Sequence, residues 1–117
     1  MSNSVVYYGR AAYVRKKLTT TAAIDVYTCP TEHVARVVWL RCTNTSAGAI
    51  NITVFLVDSG AVTYTFYATQ ALAAAASIEF DWNIHPLAAG EKLQVQASGA
   101  DTIQVLGTVM ETSVSRT

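Results

Sequence analysis

Leu72-Ala73-Ala74-Ala75-Ala76-Ser77-Ile78-Glu79-Phe80 reads at first sight as a helix, because alanine is the strongest helix former. Fifteen residues on, the chain repeats the phrase as Leu87-Ala88-Ala89-Gly90-Glu91-Lys92-Leu93-Gln94-Val95, with Gly90 standing where the first copy has Ala75. Each copy then alternates, Ile78/Phe80/Trp82 in one and Leu93/Val95/Ala97 in the other, which is the period of a strand with one face in a core. An isolated helix needs about 12–15 residues to be marginally stable, and Gln70 to Ser77 supplies about half of that with no amphipathic face. Leu72 to Ala76 is therefore read as a connector. Leu72 and Leu87 each plug an end of the core, and the strands begin at Ser77 and Glu91.

Working outward, period two continues in both directions and helical spacing never persists. Ile24/Val26/Thr28 alternates with Asp25/Tyr27 and stops at Cys29-Pro30, where proline cannot donate to a ladder. Val34 to Cys42 is apolar on both parities, which predicts a central strand bulged to place Arg36 and Arg41 outward. Asn44 to Gly48 is a turn. Ile50/Ile52/Val54/Leu56 and Val62/Tyr64/Phe66/Ala68 flank Asp58-Ser59-Gly60 as a hairpin. Asn83-Ile84-His85-Pro86 reads as a turn, and a last strand runs from Thr102 to about Ser113. About eight such runs predict an all-β fold, an antiparallel two-sheet β-sandwich or jelly roll. Residues 21–117 form its single domain, and residues 1–20 are a basic, Tyr-rich arm or a first strand.

A chain of 117 residues, 51% hydrophobic and 14% charged, has the size of one domain and the apolar content for one core. Such composition excludes disorder. No apolar run approaches the roughly twenty residues that span a bilayer, and no signal-peptide pattern opens the chain, so the expectation is a cytosolic protein with Cys29 and Cys42 as free thiols. Net charge is zero but uneven. Up to Arg41 six cations (Arg10, Arg15, Lys16, Lys17, Arg36, Arg41) face only Asp25 and Glu32; beyond it, Lys92 and Arg116 face six carboxylates. The asymmetry points to a basic segment meeting an acidic neighbour, such as another copy of the chain. Zero net charge argues against specific nucleic-acid binding.

Few residues offer chemistry. Cys29, His33, Cys42 and His85 lack the paired spacing of a zinc site, and buried thiols with loop histidines are the plainer account. No Gly-x-Ser-x-Gly elbow is present, Asp58-Ser59 is turn chemistry, and Glu79/Asp81 share one solvated strand face. No catalytic residue, metal ligand or cofactor is assigned. Trp39 and Trp82 would suit a sugar-stacking platform, although core packing is the ordinary place for a strand tryptophan. The run Val5 to Leu18 mixes tyrosines with arginines and lysines, a combination enriched at protein interfaces. Tyr7, Tyr8, Arg10, Tyr13, Arg15, Lys16 and Lys17 are the interface candidates, on an arm that docks on a neighbour or on a first strand with a basic outer face.

The stretch from Ile24 through "VYTCPTEHVARVVWLRCTNTSAG" and on to "HPLAAGEKLQVQASGADTIQVLGTVMET" resembles small virion proteins of tailed bacteriophages. The shared features are an apolar-Tyr-x-x-Pro opening, an Asn-Thr-Ser turn after a long strand, Leu-x-x-Gly-Glu, and an Ala-Ser-x-x-Asp turn before the last strand. Two departures stand out: Cys29 replaces a small aliphatic, and Thr31-Glu32-His33 replaces a glycine-containing turn. The resemblance implies a β-sandwich without enzymatic activity, bound in many copies to the major capsid protein or other virion proteins. It further implies a capsid decoration (cement) protein or a neck, tail or fibre component, located in a virion assembled in the host cytoplasm. A carbohydrate-binding module is the reading from another class.

Overall fold

A computed structural model describes residues 5–80 and 86–116, with side chains over 9–80 and 86–113. Trp82 and His85 lie outside the described residues. Nine strands are present among the described residues: β1 Val5–Leu18, β2 Ile24–Thr28, β3 His33–Asn44, β4 Ile50–Val57, β5 Thr63–Leu72, β6 Ser77–Phe80, β7 Pro86–Leu87, β8 Lys92–Ala97 and β9 Ile103–Arg116. They form two antiparallel sheets, one in the order β1-β9-β3-β6 with β7 also on β3, the other β2-β8-β4-β5. The expected all-β sandwich is what the chain adopts, with one strand more than the sequence suggested. Pro86, expected in a turn, opens the two-residue β7, where its missing N–H is tolerated on a short edge piece.

The alternation sorts side chains as the pleat requires. Leu93, Val95 and Ala97 of β8, Ile52 and Val54 of β4, Ile103, Val105 and Val109 of β9, and Leu40 and Cys42 of β3 are buried between the sheets. Val14 and Leu18 of β1 join them. Removing these faces from water supplies the main driving force for the fold, roughly 1.5–3 kcal/mol for each large aliphatic side chain.

The opening stretch resolves as a turn used twice. Leu72 and Leu87 are both buried. After each, the chain makes an i to i+3 backbone bond, Ala76 N–H to the Ala73 carbonyl at 3.1 Å and Glu91 N–H to the Ala88 carbonyl at 3.0 Å. The third residue of each turn has positive φ, 58° at Ala75 and 82° at Gly90, the pattern of a type II turn. Glycine is the residue that position prefers, so the second copy is the relaxed version and the first holds an alanine in the left-handed region. The Thr31–Glu32 corner behaves likewise: Glu32 has φ 61°, in the left-handed region that favours glycine.

Asn44, fully buried at the end of β3, ties this end of the sandwich together. Its Nδ2 donates to the carbonyls of Gly48 (2.8 Å), Leu72 (3.1 Å) and Ala73 (3.2 Å), while Oδ1 accepts from the Ser46 N–H and hydroxyl. The Asn-Thr-Ser turn therefore also anchors the first alanine turn.

Register also slips between β4 and β5 near Val54, and bulges in β2 and β3 change what the alternation would otherwise present. In β3 the register against β9 slips between Val37 and Trp39, so Val38 is an extra residue. Parity therefore flips: Val37, Leu40 and Cys42 are buried, whereas Val34, Arg36, Val38 and Arg41 point out. That is why Arg36 and Arg41, of opposite parity, share the outer face as expected. In β2 the register against β8 slips between Asp25 and Tyr27, and Val26 and Tyr27 are both buried. Tyr27, expected on the outward parity, is thereby turned inward.

Candidate functional site

β1 lies in the first sheet as an edge strand, paired with β9 along its whole length, from Val5 opposite Arg116 to Leu18 opposite Ile103. Registers across β1, β9, β3 and the short edge strands place the outer residues in rows. Tyr13, Thr108 and Trp39 form one row; Arg15, Leu106, Arg41 and Glu79 form the next; Ala11, Met110, Arg36 and Pro86 form a third. Of the six large hydrophobic side chains most exposed among the described residues, four are on this face: Tyr13 (63%), Val34 (47%), Val38 (48%) and Leu106 (46%). Trp39 is half-buried there, a correction to the expected core position, and the β3 bulge is the cause: it carries Val38 and Trp39 to the outside together.

Gly107 makes that bulge fit. A Cβ on it would stand 2.8 Å from the Trp39 carbonyl oxygen and 3.1 Å from Leu40 Cδ1, so only glycine lets β9 run this close to the bulged backbone.

The charges on the face are one-sided. Arg15, Lys17, Arg36 and Arg41 are exposed on it, and Glu79, paired with Arg41, is the one carboxylate among its described residues. Arg15 lies 5.3 Å from the centroid of the Tyr13 ring and Arg41 5.9 Å from that of Trp39, so both guanidiniums are spread over aromatic surface. Two shallow hollows open here. One, of about 390 Å³, has Val34, Arg36, Pro86, Met110 and Thr112 in its lining; the other, of about 200 Å³, has Arg15, Lys17, Gln104 and Leu106.

The interface candidates of β1 separate by parity. Tyr13, Arg15 and Lys17 are on the outer face. Lys16 has the inward parity of Val14 and Leu18, yet stays exposed at the sheet edge, where an inward-pointing charge discourages edge-to-edge pairing. Arg10 is also inward, and its Nε donates to Glu111 Oε1 at 2.6 Å. The side chains of Tyr7 and Tyr8 lie outside the described residues. The contributions of Val34, Val38 and Trp39 were not recognised from sequence, because the bulge that turns β3 over is invisible to a strict period of two; Leu106 and Met110 of β9 were not singled out.

Glu111, 3% exposed, is held from both sheets: the Tyr27 hydroxyl of β2 donates to Oε2 at 2.5 Å, and Arg10 of β1 to Oε1. Burial pushes its pKa up, but the Tyr27 hydroxyl and the Arg10 guanidinium together outweigh that, leaving the carboxyl below its ordinary value. Burial, aided by Glu111, holds the Tyr27 phenol protonated. Burial also raises both thiols, Cys42 to about 12, so neither free cysteine is a thiolate at neutral pH.

The outer face of the second sheet is different in kind. A groove of about 430 Å³ there is lined by Thr21, Asn51, Thr53, Thr69, Gln96 and Ser98, with Ala97 at its base. No aromatic ring lines it. Asp25 and Lys92 pair with each other at 3.4 Å, and Asp25 accepts from Gln94 at 2.7 Å. Among the described residues, no group of three or more His, Cys, Asp or Glu is placed to hold a metal ion.

No family model matches the sequence, and no curated protein matches it. Solved structures share its fold. A chain in the acid-stable capsid of Helicobacter pylori bacteriophage KHP30 superposes with a TM-score of 0.58 at 13% identity, over 99% of this chain and 98% of that one. A chain of infectious bursal disease virus, Gx strain, superposes at 0.57 with 14% identity over 96% of this chain. A Bacillus endospore appendage protein of disulfide-linked pili superposes at 0.51 with 14% identity, over 98% and 93%. This chain spans about a third of the length of the bursal disease virus chain. At these identities the likeness is one of fold.

Proposed function

We propose that the protein is a non-enzymatic structural component of a phage virion, a decoration protein that binds the outside of the capsid shell in many copies. The observation that carries this reading is the end-to-end match in fold with a chain of a phage capsid, a whole polypeptide of this size rather than one domain of a larger coat protein. Its sheet face, apolar and cationic with its own side chains already ordered, is the kind of surface that binds protein. Each copy bridging neighbouring shell subunits reinforces the others, because once one contact is made the next forms at high effective concentration. The interface candidates Tyr13, Arg15 and Lys17 belong to this reading, with Lys16 exposed at the sheet edge beside them, whereas Arg10 is engaged by Glu111.

A pilus-like assembly through disulfides is disfavoured, since Cys29 and Cys42 are both buried and their thiols protonated. The polar groove of the second sheet has no ring in its lining on which a sugar could stack. Immunogold labelling of intact virions is the test. Label distributed over the shell is the expected result; label at one vertex gives a neck, tail or fibre position instead, and virions without label remove the reading.

A further inference from the structure

We infer that the outer face of the β1-β9-β3 sheet is a docking surface for an acidic protein surface bearing apolar side chains. As to where such a partner resides, this rests on the virion reading; the chemistry of recognition follows from the face itself.

The first step is the pairing of floor and wall. Met110 is in the lining of one hollow beside Arg36, and Leu106 is in the lining of the other beside Arg15 and Lys17. Each hollow thus offers a thioether or aliphatic surface with a cation at its margin. An apolar side chain with a carboxylate beside it on the partner would fill both requirements at once. Between the hollows the bulge lifts Val38 and Trp39, a fixed projection that needs a complementary depression in the partner.

The second step is sign. Among the described residues, four cations against Glu79 leave the face with three excess positive charges, although the whole chain balances at zero. A second copy meeting this face across a two-fold axis would bring cation against cation, which disfavours an isologous dimer here. A nucleic acid would satisfy the charge but not the aliphatic surface of Val34, Val38 and Leu106. An acidic protein satisfies both.

The third step is preorganisation. Arg15 rests on Tyr13 and Arg41 is held by Trp39 and Glu79, so less side-chain freedom is lost on binding than for solvated arginines. Arg36 and Lys17 have neither an ion-pair partner nor a ring contact among the described residues and are the cations most available to a new carboxylate.

The test uses the full chain, isotope-labelled for NMR, and two probes: an acidic Glu/Tyr copolymer and a single-stranded oligo-dT of similar charge. At low salt the copolymer is expected to shift resonances of Tyr13, Trp39, Leu106 and Met110 and to leave Thr53, Gln94 and Gln96 in place. The double variant Arg15→Glu/Arg36→Glu should weaken binding about 10- to 100-fold, while Thr53→Glu on the other sheet leaves it unchanged. No shift with the copolymer, shifts confined to the Thr53 face, or tighter binding to oligo-dT would each overturn the inference. Because this assay contains no particle, its outcome is separable from the immunogold result. Copolymer binding with unlabelled virions would refute the virion reading alone, and labelled shells with no copolymer binding would refute the inference alone.

Discussion

The two sheets of this sandwich bury the same kind of side chain and expose opposite kinds. Outside β1-β9-β3 stand Tyr13, Val34, Val38, Trp39 and Leu106 among unbalanced cations; outside β2-β8-β4-β5 stand threonines, asparagine, glutamines and the half-buried Phe55, with Tyr64 exposed on the β5 edge and Asp25 and Lys92 neutralising each other. Both outer faces obey the same alternation, so the strand period cannot be the source of the difference. Two local features are. The β3 bulge adds an extra apolar residue to one face, and the N-terminal strand brings three cations to a single edge.

The comparison breaks most severely at Gly107. Gly107→Ala would push a methyl into the Trp39 carbonyl 2.8 Å away, and the bulge must shift to relieve it. A loss of about 1–3 kcal/mol in chemical unfolding is expected, with altered Trp39 fluorescence as the bulge moves. Unchanged stability and emission would mean that the bulge does not depend on glycine there.

Next in size is the clamp that fixes β1 against the other sheet. Glu111→Gln removes the charge that Arg10 and Tyr27 address and should cost about 2 kcal/mol; Tyr27→Phe should cost about 1–2 kcal/mol. Because Glu111 titrates lower in the fold than in the unfolded chain, its contribution is present above the ordinary carboxylate range of about 4.3 and is lost as pH falls through its depressed folded value. Wild type should therefore lose more stability than Glu111→Gln on acidification from neutral pH. Parallel pH profiles for the two proteins would contradict the clamp.

Smaller effects come from the paired turns. Gly90→Ala puts a Cβ at φ 82° and should destabilise by about 1 kcal/mol, whereas Ala75→Gly relieves φ 58° and should stabilise by up to about 0.5 kcal/mol, net of glycine's entropy. Opposite signs in thermal melts are the expected result. Smallest of all, Thr53→Glu on the polar face should change stability by less than about 0.5 kcal/mol.

How much was legible follows from where period two holds. Leu93/Val95/Ala97 and Ile50/Ile52/Val54/Leu56 keep strict alternation, so their strands and core faces could be read directly, and with them the all-β sandwich. The repeated Leu-Ala-Ala phrase was legible as a connector because Gly90 exposed what Ala75 disguised. What escaped were the bulges in β2 and β3. Each inserts one residue, flips the parity that follows, and so turned Tyr27 inward and Trp39 outward against expectation. Glu111 did leave a signal: it shares the parity of Val105 and Val109, and a carboxylate on a core face demands partners. Of the β1 candidates, Tyr13, Arg15 and Lys17 have the parity for the outer face, while Arg10 serves the clamp.

Hydroxyl-radical footprinting of the chain in intact particles, set against the free chain, bears most directly on the claim that the basic, apolar sheet face is the one that grips a partner. Strong protection of Tyr13, Trp39, Leu106 and Met110, with Tyr64 on the other sheet oxidised at its free rate, is the predicted result. Oxidation of Trp39 and Met110 at the free rate, with protection confined to β4 and β5, would contradict it.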